Sequence, residues 1–236
     1  MKIEIWSDVV CPWCYIGKRR LEAALEEFDE EVDITWRSFQ LDPSAPDKPS
    51  GPLVEELAKK YGVGVEQARA MMQRVEQNAA DEGLDFDFDN AQGGNTFDAH
   101  RVIHFASEHG PDGQNKQGEM KERLLSAYMT EGRPISDRDE LAKLAGEVGL
   151  DAKEVREMLD GDRFVDAVKY DRAEARQIGV TGVPFFLIEG KYGIPGAQAS
   201  ETLLSALETV REKERAIDAP QGDACDDEGC DLPGQS

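Results

Sequence analysis

The chain has 236 residues and is strongly acidic, with 49 Asp and Glu residues against 27 Lys and Arg residues and a formal charge of −22. A surface of this sign repels phosphate groups, which excludes nucleic acids and anionic membranes as partners. No stretch of about 18 apolar residues occurs, so we expect no membrane span. The length allows a hydrophobic core that needs no structural disulfides. The acidic surplus is spread along the whole chain, which is typical of a halophilic protein, because salt screens self-repulsion.

The first forty residues predict a β-α-β unit. The sequence KIEIW, residues 2 to 6, alternates polar and apolar side chains as a half-buried strand does. A helix is predicted from Pro12, and VDITWRSFQL, residues 32 to 41, predicts the second strand. The first strand is entered without the basic region, apolar stretch and cleavage site of a signal peptide, so we expect a cytoplasmic protein.

The middle of the chain carries only helical patterns. The segment LDPSAPDKPSGP, residues 41 to 52, contains four prolines and ends the periodicity of the preceding strand. Two later helices are predicted to begin at Ser136 and at Asp151, because each is followed three residues later by a carboxylate. We therefore predict an all-helical insertion over residues 46 to 178.

The last part of the chain returns to strands. The sequence GVPFFLIEGKYGI, residues 182 to 194, predicts a hairpin around Glu189 and Gly190, and residues 200 to 212 predict a helix capped by Ser200. The fold class is therefore α/β, in the order β-α-β, helices, β-β-α. The predicted boundaries are 1–45 and 179–213 for the two parts of the sheet domain, 46–178 for the insertion, and 214–236 for a flexible acidic tail.

Two cysteines in WSDVVCPWCYIGKRRLE, residues 6 to 22, give the first chemical signal. A strand followed by Cys-Pro-Trp-Cys and a helix places Cys11 at the helix N-terminus, where free N–H groups and the helix dipole favour a thiolate. Pro12 suits the first helical position, because its missing donor costs nothing there. We therefore expect a lowered pKa for Cys11, which makes it a nucleophile, with Cys14 resolving a mixed disulfide. An inert buried pair and half of a zinc site remain alternatives.

The distant sequence TGVPFF, residues 181 to 186, gives a second signal. An X-Pro bond that opens a strand is a candidate cis peptide, and the order of the elements would bring Val183 and Pro184 beside Cys11. A proline there removes a donor and keeps metal ions from the thiols, while the neighbouring backbone can pair with an extended peptide. The alternative is an ordinary trans proline at the start of a strand.

These motifs resemble the DsbA family of thioredoxin-fold oxidoreductases. Over residues 2 to 212 the chain is similar to the FrnE-like branch in five segments that occur in order: WSDVVCPWCYIGKRRLE, NTFDAHRVIHFA, EGRPISD, GVTGVPFFLI and GAQ. The resemblance implies a thioredoxin-like fold interrupted by a large helical domain. It also implies thiol-disulfide exchange without a cofactor or a metal ion.

The resemblance assigns roles to particular residues. Cys11 would be the attacking thiol, Cys14 the resolving thiol and Pro184 the cis-proline. The other residues expected to support the site are Pro12, Trp13 and Val183. The expected partners are disulfide-containing proteins or small-molecule thiols, with glutathione or a thioredoxin-type protein as reductant.

Two related groups of enzymes provide the alternative function. Isomerases of 2-hydroxychromene-2-carboxylate and kappa-class glutathione transferases resemble the chain in architecture, but they carry a serine where Cys11 stands and lack the second cysteine. This difference favours redox chemistry. A glutathione-dependent isomerase or transferase is the alternative.

The segment NTFDAHRVIH, residues 95 to 104, contains a pair of histidines. By the resemblance, Asn95 and His100 would line a cleft that faces the dithiol. His100 and His104 share one helix face, a spacing that can bind metal. However, Arg101 stands where the zinc-protease pattern requires Glu, and no third ligand is evident. A cleft-lining or hydrogen-bonded histidine is therefore favoured over a metal ligand.

A second cysteine pair, Cys225 and Cys230, lies in the acidic sequence DACDDEGCD. The neighbouring carboxylates raise the pKa of these thiols by repelling the thiolate, so we expect poor first attackers. Some FrnE-like proteins carry such a pair, and the resemblance implies an auxiliary dithiol that exchanges with the active site. A pair that never meets Cys11 is an open alternative. So is a zinc site of all four cysteines in a redox-sensing binding protein.

Overall fold

A computed structural model of the chain describes residues 1–48 and 51–218. Four strands form one mixed sheet of order β2-β1-β3-β4, namely β1 (Lys2–Ser7), β2 (Asp33–Ser38), β3 (Phe185–Ile188) and β4 (Tyr192–Pro195). Strand β1 pairs in parallel with β2 and antiparallel with β3, and β3 and β4 form a hairpin. The parallel pair needs a crossover, which the first helix supplies. This is the predicted α/β fold of thioredoxin type.

Helices account for most of the remaining chain. In the described ranges they are α1 (Pro12–Glu27), α2 (Leu53–Tyr61), α3 (Val65–Asp81), α4 (Phe97–Glu108), α5 (Gln117–Met129), α6 (Arg138–Glu147), α7 (Ala152–Asp160), α8 (Val165–Gln177) and α9 (Ser200–Asp218), with a short 3₁₀ turn at Pro111–Gly113. Within these ranges no helix is both long enough and apolar enough to cross a bilayer.

The alternation of side chains in β1 decides how the sheet is covered. Ile3 and Ile5 point to one face, where they join the main hydrophobic cluster with residues of α1 and α9. Trp6 points to the other face, into a smaller cluster with Ala175 of α8 and Val180. Because side chains alternate along a strand, one short strand serves both layers of the molecule.

The helical insertion packs directly onto the sheet. One hydrophobic cluster runs from Ile5 of β1 through Ile16 of α1 to Leu124 of α5. Gln117, the first residue of α5, accepts a hydrogen bond from the Trp36 N–H at 2.9 Å and donates one to the Trp36 carbonyl at 3.1 Å. An edge strand needs such partners for its outer backbone groups. The insertion is therefore joined to the sheet through a shared core, and the domain boundaries stay a prediction.

Two helix starts differ from the prediction. The cap of α6 is Asp137, whose carboxylate accepts two backbone N–H groups of the first turn at 2.9 and 3.0 Å. Ser136, the predicted cap, instead donates to the Asp47 carbonyl at 2.6 Å. Helix α9 begins at Ser200 itself, and the Ala199 carbonyl accepts the first helical N–H groups. The cap at Asp151 is confirmed.

The predicted ends of two elements also shift. Strand β2 ends at Ser38 rather than at residue 41, because the Leu41 N–H donates to the Asp8 carboxylate at 2.8 Å instead of to a strand. Helix α9 continues to Asp218, so the tail predicted from residue 214 begins too early. Cys225 and Cys230 lie outside the described residues.

Candidate active site

The dithiol lies at the N-terminus of α1. Cys11 has an extended backbone, with φ −92° and ψ 112°, and Pro12 is the first helical residue, as the sequence predicts. The Cys14 N–H donates to the Cys11 carbonyl at 3.0 Å. Both cysteines are free thiols; Cys11 is 4% and Cys14 1% exposed, while Trp13 between them is 38% exposed. The site is therefore a buried dithiol beside a partly exposed indole.

The peptide bond between Val183 and Pro184 is cis, and the loop that contains it lies against the dithiol. The Cys11 Sγ lies 3.5 Å from the Val183 carbonyl oxygen. Helix α1 approaches this loop so closely that a Cβ added to Gly17 would lie 2.9 Å from Pro184 Cγ. Glycine is the residue that permits this contact. Both the cis bond and its position beside Cys11 are as the sequence predicts.

Four buried polar side chains lie beneath the dithiol, and we call them the floor: Ser7, Asp8, His100 and Lys121. Each is at most 1% exposed. Ser7 ends β1 and Asp8 follows it, whereas His100 comes from α4 and Lys121 from α5. The Asp8 carbonyl also accepts the Cys11 N–H at 3.3 Å. The helical insertion therefore supplies half of the polar groups beneath the active-site cysteines.

Asp8 is a buried anion held by three donors. Its carboxylate accepts the Val9 N–H at 2.8 Å, the Leu41 N–H at 2.8 Å and the His100 Nε2–H at 3.3 Å. Burial opposes ionisation, but the hydrogen bond from His100, the Leu41 N–H and the charge of Lys121 outweigh it, so the pKa of Asp8 lies below its usual value. Burial lowers the pKa of His100, and Asp8 only partly offsets this effect. At neutral pH we therefore assign a charged Asp8 and a neutral His100.

Lys121 is the buried cation of the floor. Among the residues that the structure describes, no carboxylate forms an ion pair with it, and its Nζ lies 5.6 Å from the centre of the Trp36 ring. Burial lowers the pKa of Lys121 to about 8, an effect that the charges of Cys14, Asp8 and Cys11 oppose. Its positive charge therefore acts mainly on the dithiol and on Asp8.

The two thiols ionise as a hydrogen-bonded pair. Burial opposes a Cys14 thiolate, but a hydrogen bond from the Cys11 thiol, the charge of Lys121 and the otherwise unpartnered Ser7 hydroxyl outweigh it and lower the pKa of Cys14. The pKa of Cys11 is raised by its hydrogen bond to Cys14 and by burial. The predicted lowering of the Cys11 pKa is therefore wrong. The helix N-terminus favours an anion in this region, but the buried cation and hydroxyl stabilise it on Cys14.

Asn95 and His100 do not share a cleft. The Asn95 Oδ1 accepts from Gln40 Nε2 at 3.0 Å, beside a polar cavity of about 1130 Å³. His100 is buried against Asp8, while His104 Nε2 lies 2.9 Å from a carboxylate oxygen of Asp171. In the described part of the chain no group of three or more His, Cys, Asp or Glu side chains is arranged to hold a metal ion. The hydrogen-bonded alternative for the two histidines is confirmed.

Ser7, Asp8 and Lys121 are not among the site residues predicted from the sequence. Lys121 precedes Leu124 and Leu125 by three and four residues and so lies on the apolar face of α5. A charged residue on a buried helix face is a signal of a specific partner. Asp8 follows directly after a buried strand and before the dithiol, which is a second usable signal.

Comparison with known proteins identifies the family. A model of the DSBA-like thioredoxin domain matches residues 2–208. The uncharacterized protein YwbO of Bacillus subtilis (strain 168) is 34% identical over 217 residues, which cover 89% of this chain and 98% of YwbO. The crystal structure of the probable DsbA oxidoreductase SCO1869 from Streptomyces coelicolor matches with a TM-score of 0.86 at 37% identity, covering 99% of this chain and 100% of that one.

A further solved structure shares the fold. The cytosolic disulfide reductase DsbM from Pseudomonas aeruginosa, solved with GSH, matches with a TM-score of 0.64 at 20% identity, covering 90% of this chain and 100% of DsbM. At this identity the likeness concerns the fold alone. The match over residues 2–208, together with the likeness to YwbO and SCO1869, shows that the chain belongs to the family of DsbA-like thioredoxin-domain proteins.

Proposed function

We propose that the protein is a thiol-disulfide oxidoreductase, acting as a cytoplasmic disulfide reductase or isomerase through the dithiol Cys11-Pro-Trp-Cys14. The observation that carries this proposal is the position of Cys11 Sγ, at the start of α1 and 3.5 Å from the carbonyl of the cis Val183–Pro184 loop. Membership in a family with oxidoreductases among its relatives supports it.

Cys11 is the attacking thiol in this proposal, although Cys14 has the lower pKa. Cys11 is the outer sulfur and contacts the Val183 carbonyl, whereas Cys14 is 1% exposed. As Cys11 Sγ forms a bond with one sulfur of the substrate disulfide, its proton passes to the Cys14 thiolate across the hydrogen bond between them. The substrate S–S bond breaks, and its other sulfur leaves as a thiolate that takes a proton from solvent.

Cys14 then completes the reduction. The Cys14 thiol first gives the proton it received to solvent. Its thiolate then attacks Cys11 Sγ, the bond from Cys11 to the substrate sulfur breaks as the Cys11–Cys14 disulfide forms, and the second substrate sulfur leaves as a thiolate that takes a proton from solvent. Two electrons pass from the dithiol to the substrate, and glutathione or a thioredoxin-type reductant returns them. Lys121 and Ser7 lower the free-energy cost of the Cys14 thiolate at this step. In isomerisation, a thiol of the substrate resolves the mixed disulfide instead.

Trapping of the mixed disulfide tests this assignment. In Cys14→Ser, a small disulfide such as bis(2-hydroxyethyl) disulfide should leave a stable adduct on Cys11, detected by mass spectrometry of the intact protein and its peptides. Cys11→Ser is the matched control and should form an adduct on Cys14 at least about tenfold more slowly, because that sulfur is more deeply buried. Equal labelling of the two variants would overturn the assigned roles.

The same variants separate the alternative function. A glutathione-dependent isomerase or transferase would depend on a binding groove for glutathione rather than on the Cys11 thiol. The Cys11→Ser variant would then keep the isomerase or transferase activity and bind glutathione as tightly as the wild type does. Loss of all disulfide turnover in Cys11→Ser is the result that the redox proposal predicts.

A further inference from the structure

A large polar cavity opens between the segment that follows β2 and the helical insertion, and the redox chemistry proposed above leaves it unused. Its volume is about 1130 Å³. Its walls come from the segment after β2, from the segment before α4, from the start of α6, and from helices α7 and α8. A cavity of this size accommodates a small molecule.

Most charges in the cavity wall are neutralised by one another. Arg138 pairs with Asp98 at 2.7 Å, and Arg156 pairs with Asp139 at 2.6 Å. Exposed Asp47 and Lys48 are adjacent in the chain and have opposite signs. These groups offer no net charge to a ligand. The remaining carboxylate of the wall, Asp137, accepts two N–H groups at the start of α6, so in the described part of the chain Arg172 is the one arginine of the wall left without an acidic partner.

Arg172 is the exception. Within residues 1–48 and 51–218 no carboxylate pairs with its guanidinium, whose one described hydrogen bond runs from Nη1 to the neutral Gln40 Oε1 at 3.0 Å. A guanidinium carries five N–H donors, so most of them are left for a ligand. Arg176, one turn further along α8, has no carboxylate partner in the same ranges either, and it adds positive potential. Two adjacent uncompensated arginines stand out in a chain with a charge of −22.

The guanidinium of Arg172 is held in one orientation by a chain of amides. Gln40 Oε1 accepts from Arg172, and Gln40 Nε2 donates to Asn95 Oδ1 at 3.0 Å and lies 3.5 Å from Thr96 Oγ1. Asn95 in turn donates to the Ala45 carbonyl at 3.0 Å. A fixed guanidinium binds a carboxylate in two-point geometry at a lower entropic cost than a mobile one.

Two routes of contact connect this cavity to the dithiol. Leu41 follows Gln40, and its N–H donates to Asp8, whose carbonyl accepts the Cys11 N–H. On the other side, α8 places Ala175, one turn after Arg172, in the small cluster that also contains Val183. Arg172 thus lies one helical turn from Ala175, whose cluster includes Val183 of the cis-proline loop.

We propose that Arg172, oriented by Gln40 and Asn95, is an anion subsite of the active site. It selects small disulfide substrates that carry a carboxylate a few bonds from the sulfur. The inference rests on the proposed thiol-disulfide exchange and names its substrate class. The subsite predicts a preference for anionic substrates, whereas the net negative charge of the chain alone would favour cationic ones.

Three disulfides that differ only at their ends test the subsite: 3,3′-dithiodipropionate, bis(2-hydroxyethyl) disulfide and cystamine. The reduced protein is mixed with each, and the second-order rate of Cys11–Cys14 disulfide formation is measured and divided by the rate for free dithiothreitol. Each reaction oxidises one protein dithiol and reduces one disulfide to two thiols. We expect the dicarboxylate to react about tenfold faster than the neutral disulfide, with cystamine slowest. Added KCl should reduce the preference.

Variants identify the residue responsible. Arg172→Gln should lower the rate for the dicarboxylate about tenfold and change the rate for the neutral disulfide by less than about twofold. Arg172→Lys should retain part of the preference. Arg74→Gln is the matched control, because Arg74 is exposed on α3 and likewise lacks a described carboxylate partner, and it should leave all three rates unchanged.

The outcomes separate the two proposals. If cystamine reacts fastest and Arg172→Gln leaves the order unchanged, the subsite is wrong while the redox function stands. If Arg172→Gln lowers all three rates equally, the residue is structural and the subsite is also wrong. If none of the three disulfides oxidises the wild-type dithiol, the proposed function itself fails.

Discussion

Helix α4 carries two histidines four residues apart, and each is bonded to a buried aspartate on a different element. His100 Nε2 lies 3.3 Å from Asp8, and His104 Nε2 lies 2.9 Å from Asp171. The two pairs have the same chemistry and the same helix face. They differ in what else surrounds the carboxylate, and this difference decides what each pair does.

In the pair of His104 and Asp171, the negative charge of the Asp171 carboxylate is compensated by further donors. Its carboxylate also accepts the Ser38 N–H at 2.7 Å and Arg37 Nη1 at 3.1 Å, while its carbonyl accepts Trp6 Nε1 at 3.0 Å. These bonds tie α8 to β1 and β2. Such a pair holds the insertion on the sheet, and little of its charge is left to act elsewhere.

In the described part of the chain the Asp8 carboxylate has no cationic side chain within hydrogen-bond distance, and Lys121 acts on it only through its charge. Beside the neutral His100, its carboxylate has only two backbone N–H donors, and its charge raises the pKa of Cys11, although less than the Cys14 hydrogen bond and burial do. The comparison teaches that compensation, rather than residue type, separates a structural pair from one that tunes a reactive group.

The largest expected effect is on stability, at the compensated pair. Asp171→Asn removes a buried charge that Arg37 and His104 share, so we expect a loss of about 3 kcal/mol in the free energy of unfolding. Urea unfolding of the reduced protein measures it. The reduction potential of the dithiol should stay within a few millivolts of the wild type, and a shift as large as that of the corresponding Asp8 variant would break the comparison.

Asp8→Asn should act on the dithiol instead. Removing the Asp8 charge relieves the repulsion of a thiolate, which stabilises the reduced form. We expect a potential more positive by about 30 mV, the equivalent of about 1.4 kcal/mol for two electrons. Equilibration with glutathione buffers and alkylation measures this shift. An unchanged or more negative potential would show that Asp8 does not tune the dithiol.

Lys121→Met should shift the dithiol the opposite way. Loss of the buried cation disfavours the Cys14 thiolate, so its pKa should rise by about one unit and the potential should become more negative by about 30 mV. The ultraviolet absorbance of the thiolate reports the pKa. Lys143→Met is the control, because Lys143 is 67% exposed in its salt bridge on α6, and it should have no effect. A Cys14 pKa that does not move would rule out this role of Lys121.

The smallest expected effect is the pH dependence at His100. Its pKa is lowered by burial, so below a pH of about 6.5 the unfolded chain binds a proton that the folded chain does not. The free energy of unfolding should therefore fall as the pH drops below 6.5, by at most about 1 kcal/mol over the first pH unit, and His100→Asn should remove this fall. If the free energy of unfolding falls equally with pH in the wild type and in His100→Asn, another group is responsible for the fall.

The features that could be predicted from the sequence are either local patterns or motifs that occur in the same order as in the DsbA family. Strand β1, the start of α1 at Pro12 and the cis bond between Val183 and Pro184 each follow from a short pattern in the sequence. The sequence marks Lys121 and Asp8 as unusual, but it does not show that they meet beneath the dithiol, since Lys121 comes near Cys14 only after α5 packs onto β2. The wrong expectation for Cys11 has the same origin, because the helix terminus was visible in the sequence and the buried cation was not.

The central claim is that Cys11 and Cys14 form one redox centre. Redox equilibration of the full-length protein, with alkylation and peptide mass spectrometry, tests it most directly. We predict a single two-electron transition of the Cys11–Cys14 pair between about −270 and −120 mV, the range from thioredoxin to DsbA. The account would be contradicted if both cysteines stayed reduced throughout the titration, or if they oxidised independently of each other.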